Sequence, residues 1–228
     1  MLHVYAIADS AQRTEAVGLA GEELRTVGEG PFAVASEHDR LSSLLSEDDL
    51  WTHERVVEEL MDRATVLPMR FDGAVADEAA LRRILDERRE EFQSLLAGVR
   101  GAVELGVRAH FDDLAEEGDA GHGEDFGGSD PGSPGPGTVY LLERAQDQRR
   151  AADFAARVHE PLAALSRQSR QGAAGLKPGL FKAAYLVDRV RVDAFRARID
   201  VLDAELGSGR IVCTGPWPPY SFSSEKGA

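Results

Sequence analysis

Val103-Glu104-Leu105-Gly106-Val107-Arg108-Ala109-His110-Phe111 alternates without a break. Val103, Leu105, Val107, Ala109 and Phe111 fall on one side, and Glu104, Gly106, Arg108 and His110 on the other. Successive side chains of a strand point to opposite faces, so this stretch reads as a strand with one wet face. Working forward from it, Thr138 to about Arg170 reads as a long helix with Phe154, Ala155, Val158, Leu162 and Leu165 on one face and a kink at Pro161. Leu180 to Val187 reads as a strand. Val192, Phe195, Ile199, Leu202 and Leu206 form a further amphipathic helix closed by Gly207, and Ile211 and Val212 start a final strand. A small sheet covered by helices on one face satisfies this order of strand, helix, strand, helix, strand, as in ferredoxin-like domains.

Working backward, Leu2 to Ala8 reads as a buried strand and Pro31 to Ser36 as a second, with part of Glu22 to Val27 a possible third. A helix from about Leu50 places Val57, Leu60, Met61, Ala64 and His53 on one stripe, and Pro68 ends it. Met69 to Phe71 reads as a short strand or turn. Asp77-Glu78 opens another helix, with Leu81, Ile84, Leu85, Arg88, Phe92, Leu95 and Leu96 on its stripe. The fold class expected is therefore α+β, in two small α+β domains. Residues 1–98 form the N-terminal one and residues 99–228 the ferredoxin-like C-terminal one.

Asp112 to Gly137 breaks the pattern. It is rich in Gly, Asp, Glu, Ser and Pro, and reads as a disordered loop inserted in the C-terminal domain, since it lacks the apolar surface to offset its ordering entropy. The chain ends on a different signal. Between Gly215 and Phe222 lie Pro216, Pro218, Pro219, Trp217, Tyr220 and Phe222. The prolines fix φ and push their predecessors to extended geometry, so residues 214–222 read as a stiff strap that lays Trp217, Tyr220 and Phe222 on the body of the protein or on a partner.

The 228 residues carry 40 Asp and Glu against 26 Lys and Arg, a net charge of −14. That balance argues against nonspecific nucleic-acid binding and against docking on an anionic membrane. Cys213 is the only cysteine, so neither an intrachain disulfide nor a cysteine metal cluster is expected. No apolar run approaches the roughly 20 residues of a membrane helix, and the start of the chain lacks the pattern of a signal peptide. A reducing cytosol is the plain reading.

The six histidines lack metal-site spacing, no phosphate loop is present, and no serine sits in a nucleophile elbow, so no catalytic residue, metal or cofactor is assigned. His53, on an apolar helix face, reads as a satisfied core histidine. Arg70, between Pro68-Met69 and Phe71, is expected to have a partly buried stem. It reads either as a clamp to Glu104 or Glu54, or as a partner-recognition residue. Trp217 reads either as an anchor for the strap or as a hot spot for a partner.

Two blocks resemble the gas vesicle protein family GvpF/GvpL. Thr214 to Phe222, TGPWPPYSF, resembles the family's C-terminus. Val66 to Phe71, VLPMRF, is similar to its leucine-proline-leucine-arginine-phenylalanine-glycine pattern, except that Asp72 here precedes Gly73. His53-Glu54, Val103 to Val107 and Gly137 to Leu142 fit in the same order. The resemblance implies a two-domain α+β plan and a non-catalytic accessory or minor structural protein of gas vesicles. It would be cytoplasmic, associated with the vesicles, and would bind the small apolar major shell protein and other accessory proteins, with no nucleic acid and no membrane. The competing reading is a ferredoxin-like small-molecule-binding sensor or an enzyme of unknown reaction. A deep pocket with convergent polar groups favours that alternative, and a shallow apolar groove favours assembly.

Overall fold

The computed structural model describes residues 1–11, 16–38, 46–110, 136–172, 180–207 and 210–224. The chain forms two compact units. One holds residues 1–105, 186–190 and 214–228, the other residues 106–185 and 191–213. The 98/99 boundary read from the sequence keeps the strap with residues 99–213, whereas the first unit groups it with the N-terminal strands and helices.

In the first unit, strands β1 (Leu2–Ala8), β2 (Arg25–Val27), β3 (Phe32–Glu37), β4 (Val66–Pro68) and β5 (Ala74–Val75) make one antiparallel sheet. The order is β2-β3-β1-β4, with β5 also pairing β1. All seven residues of β1 are buried, which is why it reads as a continuous apolar run with only His3 polar. β4 lies at the end of that order, where the N–H missing from Pro68 costs no ladder bond. Helix α1 (Glu47–Arg63) starts at a capping box: Ser46 Oγ accepts from Asp49 N–H, and the Asp49 carboxylate accepts from Ser46 N–H at 2.9 Å. It buries His53, Val56, Val57 and Leu60 against Tyr5, Ala6, Ala8, Leu19, Val34 and Val66.

The helix expected from Asp77 onward is two helices, α2 (Glu78–Glu87) and α3 (Arg89–Val99). Arg88 breaks the run with φ −112° and ψ 22°. Its guanidinium bonds Glu91 and lies 4.7 Å over the Phe92 ring. The long stem of an arginine thus met the helical stripe in sequence while its charge stays out of the core.

Strands β6 (Ala102–His110), β7 (Gln168–Gln171), β8 (Leu180–Asp188) and β9 (Ile211–Trp217) form a second sheet in the order β7-β8-β6-β9. Helix α4 (Pro136–Ala163) follows β6, and α5 (Val192–Leu206) follows β8. The long helix expected to Arg170 therefore stops at Ala163 and gives way to β7, a polar strand without apolar alternation. With β7 counted, the second unit's strands and helices run β-α-β-β-α-β, with the first and third strands central. On this order we propose the ferredoxin-like assignment. Its core holds Val107, Ala109, Phe154, Val158, Leu162, Phe181, Tyr185, Phe195, Ile199 and Leu202. The expectation for Asp112–Gly137 lies outside the described residues, apart from Pro136 and Gly137, which begin α4. No helix among the described residues is long and apolar enough to cross a membrane.

Candidate functional site

Two of the sequence blocks singled out above meet in the first unit. The short helical turn Tyr220–Phe222 packs on β4, so the strap is seated on the Val66–Pro68 segment. Pro218, Pro219 and Phe222 are buried, while Trp217 remains 43% exposed. The strap stays put through main-chain bonds and a carboxylate. Tyr220 N–H donates to Pro218 C=O and Phe222 N–H to Pro219 C=O, at 2.8 and 3.0 Å. Both oxygens of Glu104 accept from Ser221: Oε2 from its N–H and Oε1 from its hydroxyl, each at 2.7 Å. Bonds to a charged acceptor are the strong kind, and this pair fixes both position and rotation of the turn. Gly215 is needed where β9 passes β6. Its φ is +104°, and a Cβ there would stand 2.7 Å from the Glu104 carbonyl oxygen.

The Tyr220 hydroxyl is buried beside Glu54 but outside hydrogen-bonding geometry. Burial, and then the Glu54, Glu58 and Glu104 carboxylates, push the Tyr220 proton affinity up. Burial likewise raises the Glu54 carboxyl above its ordinary range.

The block after Pro68 is held from beneath. Met69 N–H donates to Tyr5 C=O at 2.9 Å, and His53 Nε2 lies 3.0 Å from Met69 C=O. A carbonyl only accepts, so His53 carries its hydrogen on Nε2 and leaves Nδ1 bare. Nδ1 then accepts from His3 Nε2–H at 2.8 Å. That order of tautomers leaves His3 Nδ1 as a lone pair, and it is the buried ring nitrogen without a hydrogen-bond partner. Both rings are fully buried. Burial, followed by the neighbouring His53 and His38, lowers the His3 pKa to about 4, and burial lowers that of His53. Phe71 closes the cluster, its ring 5.6 Å from His53 and 5.9 Å from His3, edge to face. The imidazoles are thus neutral and sealed from substrate, and they act as a strut under the Met69–Phe71 segment. His53 is a satisfied core histidine, as expected, and its partner is His3, 50 residues away and beyond the reach of any local pattern.

Arg70 departs from expectation. Its side chain is 77% exposed and pairs with Asp72 at 3.2 Å. It clamps neither Glu54 nor Glu104. Gly73 N–H donates to Arg70 C=O at 2.8 Å, closing a turn that points the guanidinium outward to the carboxylate two residues on. The two carboxylates offered to Arg70 serve the strap instead, Glu104 through Ser221 and Glu54 beside Tyr220. Of the residues singled out in the sequence, Pro68, Glu104, Tyr220 and Phe222 come together. Phe71 packs on the imidazoles. Arg70 and Trp217 face outward. Ser221 was missed because a serine next to two aromatics carries no sequence signal of its own.

Other features of the first unit are an open cleft of about 460 Å³ lined by Asp9, Arg63, Thr65 and Arg189 among others, and Trp51 on α1, 63% exposed. No group of three or more His, Cys, Asp or Glu is placed to hold a metal among the described residues.

Residues 1–224 match the family described as gas vesicle synthesis protein GvpL/GvpF. Gas vesicle protein F of Streptomyces sp. (strain CB03234) is 29% identical over 96% of this chain and 98% of its own length. Gas vesicle protein F1 of Halobacterium salinarum is 29% identical over 97% of this chain and 92% of its own. The crystal structure of GvpF from Anabaena sp. PCC7120 has the same fold. It superposes with a TM-score of 0.80 at 19% identity, covering 99% of this chain and 96% of that one. The match runs through both compact units and the strap, and the chain belongs to the gas vesicle GvpL/GvpF family.

Proposed function

We propose that this chain is an accessory or minor structural protein of gas vesicles that binds the apolar major shell protein, supports vesicle assembly and performs no covalent chemistry. The observation that carries the reading is the family match over residues 1–224, with relatives that are gas vesicle proteins over nearly their whole length. The surface supports a binding role. Trp217 stands out of an otherwise seated strap, and Tyr140, Leu141 and Leu142, on the first turns of α4, are 58%, 65% and 55% exposed. Exposed large apolar side chains in sequence are the kind of surface that covers an aggregation-prone partner. On this reading the protein is cytoplasmic, associated with gas vesicles, and meets the shell protein before and during its assembly together with other accessory proteins.

The test is retention of the major shell protein by the tagged chain, native and Trp217→Ala. Native chain retains it, and the variant loses retention by more than its fall in Tm explains when both are compared at a temperature where each is fully folded, since Trp217, 43% exposed, still buries more than half of its side chain. Failure of the native chain to retain the shell protein would overturn the reading. The sensor or enzyme alternative has the open cleft at Asp9, Arg63 and Arg189 in its favour. A metabolite that shifts the melt of the native chain but not of Arg189→Ala would support it.

A further inference from the structure

Glu54 lies on the face of α1 turned to the strap, beside Tyr220. Helical spacing sets Glu58 one turn further along the same face. Both are half-buried, although carboxylates on a helix mostly stay in water. The Tyr220 hydroxyl is buried against Glu54 and has no hydrogen-bond partner among the described residues. The next residue, Ser221, donates its amide and hydroxyl to Glu104. Three carboxylates therefore crowd one short turn, Glu54 and Glu58 from α1 and Glu104 from β6. Arg70, the cation of the neighbouring block, is turned outward to Asp72.

The carboxylates are not treated alike. Two donors of Ser221 answer Glu104. Glu54 instead loses water to the strap that lies against it, and a like charge at i, i+4 opposes its ionisation. Burial holds the Glu54 carboxyl above its ordinary range; the Tyr220 hydroxyl draws it part of the way back, and the Glu58 carboxylate adds to the rise. Tyr220 is part of the cover, so lifting the Tyr220–Phe222 turn returns water to Glu54. Proton binding at Glu54 and seating of the strap are then linked. The strap carries Trp217 and buries Phe222 where the turn packs on β4, so its position decides how much apolar surface the first unit shows.

We propose that Glu54 is a proton-operated catch on the C-terminal strap, seating the Tyr220–Phe222 turn firmly when protonated and easing it when ionised. The seated carboxyl holds its proton more tightly than one in water. Its contribution is therefore fully present below the ordinary value of 4.5 and is lost as pH rises through the raised one. Acid seats the strap and neutrality eases it. His3 acts with the opposite sign, since protons bind its unfolded form first and weaken the first unit in acid. The two separate because His3 bears on folding of the whole unit and Glu54 on the strap. The catch is a property of this chain alone and holds whichever partner meets Trp217.

Amide hydrogen exchange of the full chain at Ser221, from about pH 4.5 to about pH 8, reads opening of the strap, with the Val34 amide in β3 reading opening of the whole unit. Glu54→Gln leaves a neutral side chain of the same length. At about pH 7.5 the Ser221 amide, taken relative to Val34, is expected to be protected at least about threefold more in Glu54→Gln than in the native chain. That ratio falls toward one as the pH is lowered to about 4.5, where the native carboxyl takes up its proton. His3 and Glu104 are common to both chains and cancel from it. Glu58→Gln keeps Glu54 but removes its like-charged neighbour. It is expected to lie between the two, and it carries the same test if Glu54→Gln does not fold. A ratio that stays the same at every pH overturns the proposal. So does a Glu54→Gln chain with less Ser221 protection near neutrality, because ionised Glu54 would then be holding the Tyr220 hydroxyl rather than easing the strap.

Discussion

Removing the Glu104 carboxylate tests whether the strap is held at home. Its two bonds to Ser221, each 2.7 Å, are of the charge-assisted class. Such bonds contribute about 1.5–3 kcal/mol each when well buried. The site is only partly buried, so the lower part of that range applies, and Glu104→Ala is expected to cost about 2–3 kcal/mol in all. For a chain of this size that is a fall of about 5–10 °C in Tm. Ser221→Ala removes the hydroxyl bond alone and should cost about 1 kcal/mol. In the Glu104→Ala background the same serine change should cost almost nothing, so the double-mutant cycle returns a coupling of about 1 kcal/mol.

Urea midpoints at constant m-value give the free energies. Hydrogen exchange at the Ser221 amide reads the strap itself, because that N–H is bonded to Glu104 rather than to a helix or sheet neighbour. Exchange should accelerate in Glu104→Ala by more than the global loss of stability explains. A Glu104→Ala chain with a native urea midpoint and native protection at Ser221 would refute the clamp. The strap would then be held by the burial of Pro218, Pro219 and Phe222 alone.

Arg70→Ala is expected to leave the urea midpoint within about 0.5 kcal/mol of native, because its pair with Asp72 is exposed on both sides; a loss above about 2 kcal/mol would mean a buried clamp after all. Gly215→Ala should destabilise by about 1–3 kcal/mol and loosen the strap, since φ is +104° and the new Cβ meets the Glu104 carbonyl; an unchanged melt would count against that geometry. His3 gives a pH dependence of definite sign. Its folded pKa, about 4, lies below its ordinary 6.5, so protons bind the unfolded chain first. Stability is full above about pH 6.5 and falls as pH drops toward 4, by up to about 3 kcal/mol from this group. His3→Phe should flatten that part of the profile, and an unaltered slope would remove His3 as its source.

How far the sequence disclosed this arrangement follows from the range of the interaction in question. Regular periodicities survived: the alternation of Val103–His110, the apolar run of β1 and the stripe of Val192–Leu206 each depend on residues a few positions apart. Strand β7 was missed because its residues, Gln168-Ser169-Arg170-Gln171, follow an amphipathic helix without any alternation of apolar and polar. Pairing alone makes them a strand. The site was half legible for the same reason. Proline and aromatic content announced a stiff strap, and the wet face of β6 announced that Glu104 had work to do. The partner of Glu104 lies 117 residues away, and nothing local distinguishes Ser221 from Arg70 as the group it holds. A rule that buried carboxylates want cations favoured the arginine. The chain used an amide and a hydroxyl, which satisfy both oxygens without bringing a second desolvated charge inside. That choice leaves the arginine of the Val66–Phe71 block free at the surface with Asp72. There a carboxylate two residues on answers it in water, where such a pair adds little to the stability of the fold.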